Sequence, residues 1–246
     1  MLIDQYYSRD NDQVRFTRQQ ASDFAKQVAN DFNPLHDPLS KRFCVPGDLL
    51  FAMVLAQYGV SGHMRLTFSD MVTDEVSLVL PAASTLLALK GSNNKEYLTV
   101  EHSGDHSTHA RLIDNLTMSY VTFSGHAFPH ILIPLMEHKG VMINPARPIV
   151  MYQSMLINLE RFDLTDIKLE LDTEKTTFDC HGKRGNVCLA FNLIASGETI
   201  GSGEKHMVVS GLKPFEKKAV DKITAEYDQW KKDYHNDIHT IDTLTG

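Results

Sequence analysis

Residues 31–36 read Asp31-Phe32-Asn33-Pro34-Leu35-His36, a carboxylate and an imidazole on either side of an Asn-Pro step. Pro34 disfavours helical geometry at Asn33, so a helix arriving from upstream has to stop at this point. The Asn33 amide can bond locally and fix the turn, bringing Asp31 and His36 to one side of it. Upstream, Thr17-x-x-Gln20 is a capping box, and Ala21, Phe24, Ala25 and Val28 follow at i, i+3, i+4 and i+7. That spacing predicts an amphipathic helix over 18–29. Downstream, Gly47-Asp48 opens a second helix over 48–58, apolar on every side through Ala56 and ended by Gly59. A helix with no polar face is expected to be buried all round.

From Met64 the pattern turns to strands, at 64–70, 74–80, 84–90, 95–103 and 108–123, with turns at 91–94 and at Ser103-Gly104-Asp105. A buried helix followed by such a run suggests an antiparallel sheet curled around it. The remainder repeats the scheme loosely. After Ser124-Gly125, an apolar segment begun by Pro129 (HILIPLMEHKG) reads as a helix. Strands follow near 150–160, 165–172, 175–181, 186–195 and 199–209. KEYLTVEHSGD resembles NVCLAFNLIASGE and YVTFSG resembles HMVVSG, which favours an internal duplication. Phe215, Val220, Ile223, Tyr227, Trp230 and Tyr234 then recur at helical spacing among charges, giving an amphipathic helix expected to lie on its own chain. The tail from Asn236 is expected to fray.

The segment 31–36 resembles the D-x-N-P-[LI]-H signature of the MaoC-like, or hydratase-2, branch of the hot-dog superfamily. The order helix, motif, buried helix, strands agrees over residues 14–124. The chain as a whole also resembles an uncharacterised bacterial family within that superfamily. The resemblance implies an α+β double hot-dog, with two antiparallel sheets each wrapping a central helix as a pseudo-dimer, and an added C-terminal helix. The expected divisions are 1–124, carrying the motif, 125–212 without it, and 213–246 as helix and tail. The first half would keep the chemistry and the second would shape an acyl tunnel. Three departures stand out. Asn30 occupies a position usually Gly, the stretch from His36 to Gly47 is short, and Pro46 replaces a common His.

The implied activity is hydration of an enoyl thioester, or dehydration of a 3-hydroxyacyl thioester, carried by coenzyme A or an acyl carrier protein. Such chemistry needs a base for water and an acid for the α-carbon, and imidazole serves either near neutral pH. By the resemblance Asp31 and His36 are the catalytic pair, Asn33 supports them, and the Gly47 N–H at the helix start stabilises the enolate oxygen. Phe32, Pro46, Lys41 and Arg42 are the expected substrate contacts, with Lys41-Arg42 and Lys183-Arg184 as candidates for coenzyme phosphates. Two other readings use the same scaffold: a module that binds acyl groups or a partner without turnover, and a thioesterase.

The chain has 246 residues, 42% hydrophobic and 22% charged, which fits a globular protein and excludes a largely disordered one. A net charge of −7 argues against a nucleic-acid platform. Cys44, Cys180 and Cys188 form no CxxC pair, and the start MLIDQYY lacks a basic and apolar leader, so a reducing cytoplasm is expected. The apolar run from Leu49 to Ala56 is too short to span a bilayer, and no membrane partner is expected. Glu101, His102, Asp105, His106 and His109 would need a hairpin to gather them, and alternation along a strand explains them more simply; no metal and no cofactor is expected. Cys180 and Cys188 should lie near one another in a hairpin as reduced, apolar residues. A homodimer is left open.

Overall fold

The computed structural model describes residues 3–245, with side chains through Asn236. Short strands β1 (Ser8–Asp10) and β2 (Gln13–Arg15) precede helix α1 (Arg18–Asp23), whose Thr17–Gln20 capping box forms as expected. A wider turn, Phe24–Val28, continues α1, with Ala29 N–H bonding to Phe24 O. The buried helix α2 (Gly47–Tyr58) follows, with every residue from Asp48 to Leu55 out of solvent. Then come β3 (Val60–Phe68), β4 (Leu78–Val79), β5 (Leu86–Gly91) and β6 (Glu96–Ser107). Helix α3 (Ala110–Gly125), a short turn α4 (Ala127–His130) and helix α5 (Leu132–His138) lead into the second set of strands. These are β7 (Val141–Met142), β8 (Ile149–Leu159), β9 (Lys168–Leu171), β10 (Thr177–His181), β11 (Arg184–Ala195), β12 (Glu198–Ser210) and β13 (Lys213–Pro214), with α6 (Lys217–Thr245) last.

One antiparallel sheet runs β1-β2-β4-β5-β6-β3-β8-β12-β11-β10, with β9 also on β11. Its midline is the β3–β8 pair, where Met64 faces Ile157 and Leu66 faces Met155. Each set of strands therefore closes on the other through ordinary ladder bonds, and a single sheet carries both buried helices. Helices α2 and α3 meet through the Phe51 and Tyr120 rings, 4.7 Å apart, and α3 lies on β11 through Phe123 and Phe191, 5.2 Å apart. Gly125 ends α3 where a Cβ would sit 1.7 Å from the Ala29 carbonyl oxygen, so only glycine lets α3 pack on the end of α1. The result is a double hot-dog architecture with an added C-terminal helix.

Several expectations need correction. Residues 108–123, read as a strand, form α3. Leu112, Ile113, Leu116, Tyr120 and Val121 give a buried helical stripe, and His109 Nδ1 accepts the Leu112 N–H at 3.4 Å. The β-branched and aromatic end, YVTF, imitates a strand, and tertiary packing overrides that propensity. YVTFSG and HMVVSG are therefore a helix end and a strand, and their likeness is accidental. Counted outward from the β3–β8 junction, β6 corresponds to β12 and β5 to β11. The other echo couples β6 with β11, which are not equivalent positions.

Ser103-Gly104-Asp105 is not a turn either. β6 runs through it with a shift in register, Gly104 taking φ +80°. Pro129 does not open the following helix, which starts at Leu132 and carries Pro134 in its first turn. Cys180 pairs with Gly185 and Cys188 with Thr177, so the two thiols stand on opposite faces of the sheet rather than together. The tail expected to fray from Asn236 continues as α6 to Thr245, and its side chains beyond Asn236 lie outside the described residues. Among the described residues no helix is long and apolar enough to cross a membrane.

Candidate active site

The end of α1 sets the site. Asn30 takes φ +50°, a left-handed conformation that asparagine tolerates better than most residues, so it fills a position usually left to glycine. The Asp31 N–H then bonds to Ala25 O at 2.8 Å. Asp31 Oδ1 accepts the Asn33 N–H at 2.9 Å, and Asn33 Oδ1 accepts the Leu35 N–H at 3.1 Å, capping a single 3₁₀ turn, Pro34–His36. His36 is pinned from the other side. Its Nδ1 lies 2.8 Å from the Cys44 carbonyl oxygen, and the Cys44 N–H bonds to Leu35 O. A carbonyl only accepts, so Nδ1 carries hydrogen and Nε2 is left for Asp31, whose Oδ2 is 3.9 Å away. That separation is too long for a hydrogen bond and suits one small atom touching both groups.

Burial works against charge on His36, but the contacts with Cys44 and the Asp31 carboxylate outweigh it and raise the pKa to about 9. His36 is therefore an imidazolium at neutral pH.

Asp31, Asn33 and His36 line a cavity of about 680 Å³ that also reaches Pro46, Gly47 and Arg42. Its buried wall is mostly apolar, with Val45, Leu50, Val72, Leu132, Ile143 and Met207. Exposed Met71, Met151 and Trp230 stand at its rim. Two of the expected substrate contacts are elsewhere. Lys41 is exposed and does not line the cavity. Phe32 is buried behind the motif against α6, its ring 5.5 Å from Tyr234 and 6.3 Å from Tyr227. A phenyl group facing away from the cavity anchors the motif instead of touching a ligand. Of the two basic pairs, Arg42, on the loop before α2, and Arg184, at the start of β11, line the cavity.

Helix α6 completes the site. The buried Tyr227 accepts the Phe32 N–H at 3.1 Å and donates to Asp31 Oδ1 at 3.3 Å. Burial, then the neighbouring Asp31 carboxylate, pushes the Tyr227 phenol pKa up, which keeps it a donor. The helical spacing of 215–234 marked a buried face and nothing more, so the role of Tyr227 on Asp31 carried no sequence signal.

A second polar group at the cavity was also missed. Asp48, Ser124 and Lys205 are all buried, from α2, α3 and β12, and all line the cavity. Ser124 Oγ donates to Asp48 Oδ2 at 2.5 Å and accepts from Lys205 Nζ, which lies 3.5 Å from Asp48 Oδ1. Lys205 Nζ also stands 4.3 Å from the centre of the Tyr152 ring. A signal for Lys205 existed: it shares strand parity with the apolar Met207 and Val209, an inward position for a charge.

His102 and His106 each lie within hydrogen-bond distance of Ser61 Oγ, at 3.0 and 3.1 Å, and do not join Glu101 or Asp105 around a common point. Among the described residues, Cys188, Glu204 and His206 offer ligand atoms within 4.8 Å of one another and are the group able to hold a metal ion. They sit at alternate parity to Lys205, away from the cavity. Burial and Glu204 push the Cys188 thiol up to about 11, so without an ion it stays protonated.

The strand order and the two buried helices define a double hot-dog protein. The chain belongs to the family described as "Protein of unknown function (DUF3581)", whose model matches residues 1–218. No curated protein matches the sequence at a significant level. Among solved structures it is similar to the acyl-CoA thioesterase II TesB2 from Mycobacterium marinum, at 7% identity and TM-score 0.45, covering 88% of this chain and 100% of that one. It is similar to a MaoC-like dehydratase at 10% identity and TM-score 0.41, covering 84% and 98%. A conserved hot-dog protein from Alicyclobacillus acidocaldarius gives 8% identity and TM-score 0.43, over 85% and 98%. Likeness at this level concerns chain path and carries nothing about activity.

Proposed function

We propose that the protein acts on acyl thioesters, adding water to an enoyl thioester or removing it from a 3-hydroxyacyl thioester, with the carrier either coenzyme A or an acyl carrier protein. The observation that carries this is the Asp31 Oδ2–His36 Nε2 pair, 3.9 Å apart at the wall of a largely apolar cavity. Asp31 Oδ1 is occupied by Asn33 and Tyr227, which leaves Oδ2 as the working oxygen. In the hydration direction Asp31 takes a proton from water as its oxygen bonds to the β-carbon. The His36 imidazolium gives a proton to the α-carbon, and the enolate returns to the thioester. Dehydration runs the same steps backwards: neutral His36 removes the α-proton, and Asp31, carrying a proton, gives it to the departing hydroxyl. The raised His36 pKa favours this acid role. Gly47 N–H at the start of α2 and the helix dipole serve the enolate oxygen.

On this reading the stretch 1–124 supplies the chemistry, while 125–212 contributes the inner wall and 213–246 the helix that steadies Asp31. Asp31, Asn33, His36 and Gly47 are the proposed catalytic set, with Arg42 and Pro46 as substrate contacts. No membrane or nucleic-acid partner enters the proposal, and a cytoplasmic site of action agrees with the reduced cysteines.

Incubation with short and long enoyl-CoA esters, following both double-bond absorbance and free thiol, tests it. Double-bond loss that vanishes in Asp31→Asn and His36→Ala is the expected result. Thiol release would point to hydrolysis by the same pair, and tight binding with neither signal would leave a binding module.

A further inference from the structure

Lys205 and Asp48 form an ion pair that neither the fold nor the Asp31–His36 pair requires. Taking two charges out of water costs several kcal/mol per ion, and apolar residues of similar volume commonly hold a core as well or better. This pair is nevertheless buried where α2, α3 and β12 meet, and both members line the cavity. Its hydrogen bonding is also incomplete. Among the described residues Asp48 Oδ1 has no hydrogen-bond partner, Lys205 itself lying 3.5 Å away. An ammonium has three hydrogens, and Ser124 Oγ takes one of those on Lys205. The Tyr152 face takes up part of its charge without accepting a hydrogen along a lone pair.

The position of Tyr152 locates this cation relative to the reaction. Its ring covers Gly47 so closely that a Cβ there would lie 2.5 Å from Cδ1, and the same ring has Lys205 Nζ 4.3 Å from its centre. Lys205 is thus one aromatic ring away from the start of α2, where the Gly47 N–H serves the enolate oxygen in the proposed reaction. An oxyanion site with a backbone donor and a buried ammonium is stronger than one with the backbone alone, because the low dielectric there magnifies fixed charge.

We propose that Lys205, held by Asp48 and Ser124, is the cationic donor that receives the thioester carbonyl oxygen of the acyl ligand and stabilises the charge that grows on it. The inference rests on the acyl-thioester reading above. Asp48 and Ser124 are then positioning residues that fix the ammonium in the cavity wall. The cavity has two poles: proton transfer at Asp31 and His36, and carbonyl polarisation at Lys205.

Cinnamoyl-CoA, whose conjugated thioester absorbs further to the red when its carbonyl is polarised, reads this directly in protein stopped by Asp31→Asn. The expected result is binding with a red shift in that background, and binding without it once Lys205→Met is added. A Lys205→Met, Asp48→Asn pair leaves no buried charge unmatched and is the comparison to use if the single substitution fails to fold. In otherwise wild-type protein the paired change is expected to lower kcat about a hundredfold or more, the usual cost of an oxyanion donor. A red shift that survives the loss of Lys205, or no shift in the Asp31→Asn protein with probe bound, overturns the proposal and leaves the acyl-thioester reading standing. Failure of the probe to bind at all overturns that reading, and this proposal with it.

Discussion

The Tyr227 hydroxyl, on the last helix of the chain, donates to Asp31 Oδ1 at 3.3 Å while accepting the Phe32 N–H at 3.1 Å. One side chain thus fixes the carboxylate and the backbone beside it. Tyr227→Phe removes both bonds and keeps the ring. A lost bond to a charged group is worth about 1.5–3 kcal/mol. We therefore expect kcat for enoyl-thioester hydration to fall tenfold or more, with KM little changed, because Asp31 loses its orientation and the cavity keeps its shape. Steady-state kinetics decides it: an unchanged kcat would leave Tyr227 as packing alone.

His36 gives a pH dependence with a definite sign. Its folded pKa, about 9, lies above the unfolded value near 6.5, so the protonated ring stabilises the fold. That contribution is complete below about 6.5 and disappears as pH rises through about 9, a loss on the order of 3 kcal/mol. Denaturant unfolding at pH 6 and pH 10 should show the wild type losing more stability than His36→Gln across that interval. The same proton is the acid of the proposed reaction, so kcat/KM for hydration should fall above pH 9. A rate that instead rises through pH 7 to 9 would make His36 a base and reverse the roles of the pair.

Gly47 makes a steric prediction independent of any activity. A methyl group there would press on the Tyr152 ring at 2.5 Å, with the ring already packed on Phe68 at 4.5 Å between centroids. Gly47→Ala should cost about 1–3 kcal/mol, the usual penalty for overpacking. Tyr152→Leu in the same protein should recover part of it by making room. Thermal unfolding of the two single variants and the double variant measures that coupling, and purely additive losses would show that the two sites do not press on one another.

What the sequence made legible follows its periodicities. The capping box, the end of α1 at the Asn-Pro step and the all-apolar α2 each rest on neighbours in the chain, and each forms. The strand reading of 108–123 fails because Tyr120, Val121 and Thr122 favour strands locally, while the helical stripe from Leu112 to Val121 finds a sheet to pack on. The Asp31–His36 corner was readable because its two groups lie on one turn. Tyr227 was not, since it reaches Asp31 from α6 and only the fold sets that distance in space. Lys205 on β12 showed in the sequence as an inward-facing charge but not as a neighbour of Asp48 and Ser124. Phe32 shows the reverse: inside the motif, yet turned away from the cavity because α6 supplies aromatic partners behind it.

Arg42, on the loop before α2, and Arg184, at the start of β11, line the cavity, whereas their neighbours Lys41 and Lys183 do not. Guanidinium groups bind phosphate oxygens bidentately, and a coenzyme A thioester carries its phosphates outside an acyl cavity. Arg42→Glu and Arg184→Glu should therefore raise KM for an enoyl-CoA about tenfold each, a factor worth about 1.4 kcal/mol. The matching pantetheine thioester, which has no nucleotide phosphates, should show little change, and added salt should narrow the difference between the two substrates. Lys41→Glu provides the comparison at a neighbouring exposed charge outside the cavity. Equal losses on both thioesters would assign the arginines to the shape of the cavity and direct the search for the carrier's phosphates elsewhere on the surface.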